Sequence, residues 1–220
     1  MLKAIIFDFD GLILDTETPE LQVWQKIYRD HGFELSTQLW EQIIGGNGIS
    51  VFDPITHLEE LSPFHIDRFQ ISDMARNLSN KLILSQPILP GAKELIQTGR
   101  QHAYKLAIAS SSPHEWVDGH LQRLGLFDKF DSILCGDDVK QTKPYPDLFL
   151  AALKELNVLA NEAIVFEDSP NGIRAANAAG IFSVAVPNQV TKLFDLSHAR
   201  LLYQSLEQVN LDLIRSRYFQ

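Results

Sequence analysis

The sequence predicts an α/β fold in which a parallel sheet is covered on both faces by helices. Short apolar runs without polar alternation recur along the chain, as strands buried on both faces require, and a helix-length segment separates each from the next. The first run, Ala4-Ile5-Ile6-Phe7, ends in Asp8-Phe9-Asp10-Gly11. Two carboxylates one residue apart, at the sheet edge where open α/β folds place their ligands, repel each other and lose hydration. Folding alone gives no reason for them, whereas a bound cation or a shared proton does. The plain alternative is a strand that turns polar where it meets water, and an isolated Asp-x-Asp does not decide between the two.

Further strands are predicted at Leu106–Ala109, Ser132–Cys135, Ala163–Phe166 and Phe182–Val186. Ser112-Pro113-His114-Glu115 reads as a helix start, with Ser112 as N-cap, a first-turn proline and a capping-box glutamate ahead of Val117, Leu121 and Leu124. Ser169-Pro170 opens another helix, which runs through Ala175, Ala176, Ala178 and Ala179 to a stop at Gly180. Residues from about 16 to 89 break the alternation. There Thr18-Pro19 reads as cap and first helical position before Leu21, Trp24, Ile27 and Tyr28, and no strand pattern follows until Pro87, Pro90 and Gly91 mark a return. A helical subdomain inserted after the first strand has this pattern; helices lying along the sheet are the alternative. From Thr191 onward the pattern assigns little.

Apolar residues at 45% and charged residues at 21% are those of a soluble globule. The net charge of −9 argues against a nucleic-acid surface, and it requires that an anionic substrate be attracted locally. Cys135 is the only cysteine, which excludes an internal disulfide and fits a reducing compartment. Set between Leu134 and Gly136, it reads as a strand end rather than a nucleophile. The apolar run before Asp8 is too short for a signal sequence, and no stretch approaches a membrane span. The expectation is a cytoplasmic monomer.

Chemistry collects at strand ends. Ser110-Ser111-Ser112 follows the second strand and precedes a helix, where hydroxyls and free N–H groups can hold an anion. Glu167-Asp168 closes the fourth strand, and with Asp8 and Asp10 it makes an all-oxygen set that suits magnesium better than zinc. Lys143, in Lys143-Pro144-Tyr145-Pro146-Asp147, could neutralise charge on a phosphate there.

Asp8-Phe9-Asp10-Gly11-Leu12-Ile13-Leu14-Asp15-Thr16, Ala109-Ser110-Ser111, Lys143-Pro144 and Glu167-Asp168-Ser169-Pro170-Asn171-Gly172 together resemble, in order and spacing, the haloacid dehalogenase-like phosphohydrolases. The branch is the one that holds β-phosphoglucomutase and phosphoglycolate phosphatase. The resemblance implies a Rossmann-like three-layer core over residues 1–15 and 90–220, with a helical cap over 16–89. It implies Asp8 as nucleophile forming an aspartyl-phosphate and Asp10 as general acid and base. Ser110 and the Ser111 backbone would bind phosphoryl oxygens, and Lys143 would bridge nucleophile and phosphate. Mg2+ would be held by Asp8, the Asp10 carbonyl and Asp168, with Glu167 nearby. The substrate class implied is a small phosphorylated metabolite.

Asp10 sets the chain apart from family members that cleave carbon–halogen bonds, which lack an acid there. Relatives of the mutase type carry an Arg in the loop after the cap glycine, where this chain reads Gly45-Gly46-Asn47-Gly48-Ile49-Ser50, and many carry a His where this chain has Glu20. Phosphomonoester hydrolysis is therefore expected, with Asn47 as a candidate cap contact. A phosphosugar mutase is the alternative reading. A phospho-accepting receiver-like signalling domain shares the acidic pocket and lysine, but it accepts at its third strand and has no insertion after its first.

Overall fold

A computed structural model describes residues 1–40 and 52–219. Its strands are β1 (Ala4–Phe7), β2 (Lys105–Ala109), β3 (Ser132–Leu134), β4 (Ala163–Glu167), β5 (Phe182–Ala185) and β6 (Leu201–Leu202). They form one sheet of order β3-β2-β1-β4-β5-β6, parallel throughout. The five strands expected from the sequence are present within a residue or two. β6 was not foreseen, because two residues carry no periodicity.

The helices are α1 (Glu17–Asp30), α2 (Thr37–Trp40), α3 (Pro54–Leu61), α4 (Arg68–Leu84), α5 (Ala92–Gln101), α6 (His114–Arg123), α7 (Asp147–Leu156), α8 (Pro170–Ala178) and α9 (Leu211–Tyr218). Side chains of β1 alternate between two cores, as the two-residue period of a strand requires. Ile5 and Phe7 join Leu95 of α5, Val117 and Leu121 of α6 and Ile214 of α9 on one face. On the other, Ala4 and Ile6 join Phe149 and Ala152 of α7 and Ala175 and Ala176 of α8. Helices on both faces of a parallel sheet make the three-layer α/β fold that the sequence predicts.

Between β1 and β2 the described residues form helices and no strand. Leu21, Ile27 and Tyr28 of α1, Leu58 of α3 and Ile71 of α4 build an apolar cluster of their own, joined by Val190 and Phe194 from beyond β5. The chain leaves and re-enters the sheet layer side by side. Leu14 bridges Ile88, and the Leu89 N–H donates to the Ile13 carbonyl at 2.8 Å.

Two helix starts differ from expectation. α1 begins at Glu17, with Thr18-Pro19 inside its first turn, because the Asp15 carboxylate accepts the Thr18 N–H at 3.0 Å. α6 begins at His114, whose N–H donates to Asp137 Oδ2 at 2.8 Å; a carboxylate remote in sequence takes the place that Ser112 was expected to fill. Ser169 does cap α8 as predicted, accepting the Gly172 N–H at 3.1 Å, and Gly180 follows that helix with φ +75°.

Phe166 is fully buried at the middle of the sheet and stacks on Phe7 with centroids 5.7 Å apart. Phe166→Ala should lower the unfolding free energy by about 3–5 kcal/mol, read from urea denaturation.

Candidate active site

Register brings the site together. Phe7 is paired with Ile108 on one side and Phe166 on the other, so Asp8, Ser110 and Glu167-Asp168 leave the same sheet edge. The connections diverge from β1 toward β2 and β4, and the crevice at such a switch point is where α/β sheets bind ligands. Asp8, Asp10, Ser110, Ser111, Lys143, Glu167 and Asp168 all line one cavity of about 250 Å³ there. Asn47 lies outside the described residues.

Lys143 is buried, its Nζ 2.5 Å from Asp8 Oδ1 and 2.7 Å from Glu167 Oε1. The other Glu167 oxygen accepts the Ser169 N–H at 2.8 Å and the Ser169 hydroxyl at 3.0 Å. The first turn of α8 closes so tightly over this carboxylate that a Cβ on Gly172 would stand 1.7 Å from Glu167 Oε1. Asp168 Oδ2 accepts from Asn188 Nδ2 at 2.7 Å, and the same amide group donates to the Gly11 carbonyl at 3.2 Å. Gly11 has φ +76°, and a Cβ there would meet Asp168 Oδ2 at 2.4 Å.

Asp10 sits in a different environment, accepting from Ser112 Oγ at 2.7 Å, Ser110 Oγ at 3.2 Å and Trp116 Nε1 at 2.8 Å. Ser112, expected to cap α6, is therefore a site residue. Trp116 and Asn188 were missed as well. Asn188 follows a strand end and could have been suspected on that ground, but nothing in the sequence marks Trp116. Glu17 and Glu20, from the first turn of α1, complete the cavity wall. Acids in a first helical turn look like ordinary dipole partners, which hid Glu17; Glu20 stood out only by contrast with relatives that carry a His there.

The acids oppose one another. Burial, then Glu167 and Asp10, push Asp8 up to about 7 against the pull of Lys143. Burial, then Glu167 and Asp8, push Asp168 well above the usual carboxylate range. Burial alone would lower Lys143, yet Asp8 and Glu167 hold it above its ordinary value. Glu17 is pushed well up by burial and by Glu20 and Asp10; Glu20 keeps solvent contact within the cleft and still rises to about 7. Carboxylate oxygens of Asp8, Glu167 and Asp168 lie within 4.8 Å of one another. One ammonium cannot neutralise three carboxylates, and an all-oxygen donor set at this spacing fits a hard divalent cation.

The family model described as Haloacid dehalogenase-like hydrolase matches residues 5–186. The chain belongs to this family. It is an enzyme of the phosphatase kind within it. The Bacillus subtilis protein named "Putative phosphatase YhcW" is 42% identical over 87% of this chain and 86% of its own length. A phosphorylated carbohydrates phosphatase of Thermotoga maritima is 31% identical over 82% of each chain. Among solved structures, a β-phosphoglucomutase from Clostridium difficile superposes with a TM-score of 0.77 at 30% identity, over 99% of this chain and 97% of its own.

Trp116→Phe keeps the ring contacts and removes one of the donors that orient Asp10. Steady-state kinetics should show a lower kcat with KM little changed, and a drop in KM-determined binding alone would contradict a positioning role.

Proposed function

We propose that the enzyme hydrolyses a small phosphomonoester, a sugar phosphate or similar metabolite, with Mg2+ and through an aspartyl-phosphate on Asp8. The observation that carries this is the pair Asp8 and Asp10 in one cavity with opposite surroundings. Asp8 lies against a buried ammonium, and Asp10 is oriented by hydroxyls and an indole. The name of the Thermotoga relative supports the carbohydrate class.

Magnesium, held by Asp8, Asp168 and the Asp10 carbonyl with Glu167 beside them, supplies neutralisation of the phosphoryl oxygens when bound. Ser110 Oγ and the Ser111 N–H donate to those oxygens, and Lys143 holds Asp8 and the phosphoryl group together. An Asp8 oxygen attacks phosphorus, the ester P–O bond breaks, and Asp10 gives its proton to the leaving alkoxide. Water then attacks the acyl phosphate and loses a proton to Asp10. The P–O bond to Asp8 breaks, and inorganic phosphate leaves with both carboxyl groups restored. Most of the barrier to such transfer is charge and alignment, which this set supplies.

Residues 16–89 act in this reading as a cap over the cleft, excluding bulk water from the reaction. Glu17 and Glu20 then face the part of the substrate remote from its phosphate. Carboxyl groups there hydrogen-bond to hydroxyls and offer no positive charge to a second phosphate, which favours a neutral polyol leaving group over a bisphosphate. The enzyme is taken to act as a monomer. No helix among the described residues is long and apolar enough to cross a membrane, and a chain whose single cysteine can form no internal disulfide suits the cytoplasm.

The mutase reading has one observation in its favour, the likeness to the Clostridium difficile structure. Mixing enzyme, Mg2+, β-glucose 1-phosphate and β-glucose 1,6-bisphosphate separates the two. Phosphate should appear faster than glucose 6-phosphate, and the reverse order would establish the mutase. On the best substrate from a screen of phosphorylated metabolites, Asp8→Asn should give no turnover and Asp10→Asn a loss of about 10²–10⁴-fold. Wild-type rates in either variant, or in excess chelator, would sink the scheme.

A further inference from the structure

We propose that His114, Asp118 and Cys135 form a second cation site, outside the catalytic cleft, for a borderline-soft divalent ion of the zinc type. Potential ligand atoms of these residues lie within 4.8 Å of one another. The set differs in kind from the catalytic one. It offers a thiol, an imidazole and a carboxylate, the donor mixture that zinc accepts and magnesium does not.

His114 and Asp118 stand one helical turn apart on α6, so their side chains share a face. Cys135 comes to that face from the end of β3 and is fully buried. His114 Nδ1 is 3.1 Å from Asp118 Oδ2, and His114 Nε2 is 2.8 Å from Asp138 Oδ2. Asp138 also accepts the Cys135 N–H at 2.8 Å. A carboxylate on the remote ring nitrogen is the usual second-layer partner of a metal-bound histidine, because it leaves the other nitrogen free to ligate. Here that nitrogen is Nδ1, facing Asp118.

A second observation is independent of this arrangement. Asp118 Oδ1 is shielded from solvent and has no hydrogen-bond partner among the described residues. An orphaned carboxylate oxygen is costly, and a cation would offset the cost. Bond lengths of about 2.0–2.3 Å place neighbouring tetrahedral ligands roughly 3.5 Å apart, so atoms now within 4.8 Å must close by about 1 Å. His114 and Asp118 keep 37% and 31% of their side-chain surface, which gives an ion a way in and leaves a fourth position for water.

The site joins two loops that serve the cleft. The Gly136 N–H donates to the Ser112 carbonyl at 2.9 Å, and a Cβ on Gly136 would stand 2.5 Å from the Ser111 carbonyl oxygen. An ion bound by Cys135 and His114 would cross-link these loops beside Ser110 and Ser111, in addition to any cation in the cleft.

Cobalt tests this directly, because Cys135 is the only thiol in the chain and only a thiolate ligand gives sulfur-to-cobalt charge-transfer absorption. The protein is titrated with Co2+ while excess Mg2+ occupies the all-oxygen cleft. The band should rise and saturate at one ion per chain. It should disappear in Cys135→Ser, weaken strongly in His114→Gln and Asp118→Asn, and lose about 10–100-fold in affinity in Asp138→Asn. If Cys135→Ser fails to fold, the α6 variants, at solvent-touching positions, decide. No band at saturating Co2+, or an unchanged band in both α6 variants, overturns the site and leaves His114 as an imidazolium between Asp118 and Asp138.

Discussion

A buried ammonium set between two buried carboxylates organises this candidate site. Lys143 Nζ reaches Asp8 from the end of β1 and Glu167 from the end of β4, two adjacent strands of the sheet. Removing one partner from such a group leaves an unpaired buried charge, at a cost of about 3–5 kcal/mol. The surroundings hold the arrangement rigidly. The first turn of α8 closes on Glu167 through Gly172, and Gly11 lets its own turn press against Asp168. Neither glycine can gain a side chain without displacing a carboxylate.

The same arrangement carries an excess of negative charge. Asp8 and Asp168 are both pushed upward in pKa by burial and then by Glu167, Asp168 further by Asp8, and Glu17 faces the same space. A folded protein concentrates acids in this way at the expense of its own stability. On the proposed function the excess becomes useful, since a divalent cation that grips a phosphoryl group there would convert repulsion into coordination.

Much of this was legible in the sequence because it rests on local pattern. Four apolar residues ending in Asp8-Phe9-Asp10 gave both the central strand and its acids, and Ser169-Pro170 gave the start of α8. What was not legible depends on contacts between distant segments. Ser112 looks like an N-cap until Asp137, from the loop after β3, is seen to take that place, which frees the serine hydroxyl for Asp10. Trp116 and Asn188 become site residues only because α6 and the loop after β5 fold over the same sheet edge. Cys135 read as an inert strand end, since its neighbours His114 and Asp118 lie far from it in sequence.

The central claim is that the buried acids destabilise the ion-free protein and are relieved by a cation. Thermal unfolding of wild type and Asp168→Asn at neutral pH, in chelator and in Mg2+, tests it. In chelator the variant should unfold at a higher temperature than wild type, because an amide does not carry the cost of burying an ionisable acid beside Glu167 and Asp8. Mg2+ should raise the wild-type transition and leave that of the variant almost unmoved. A variant less stable than wild type in chelator, together with a wild type indifferent to Mg2+, would contradict the account.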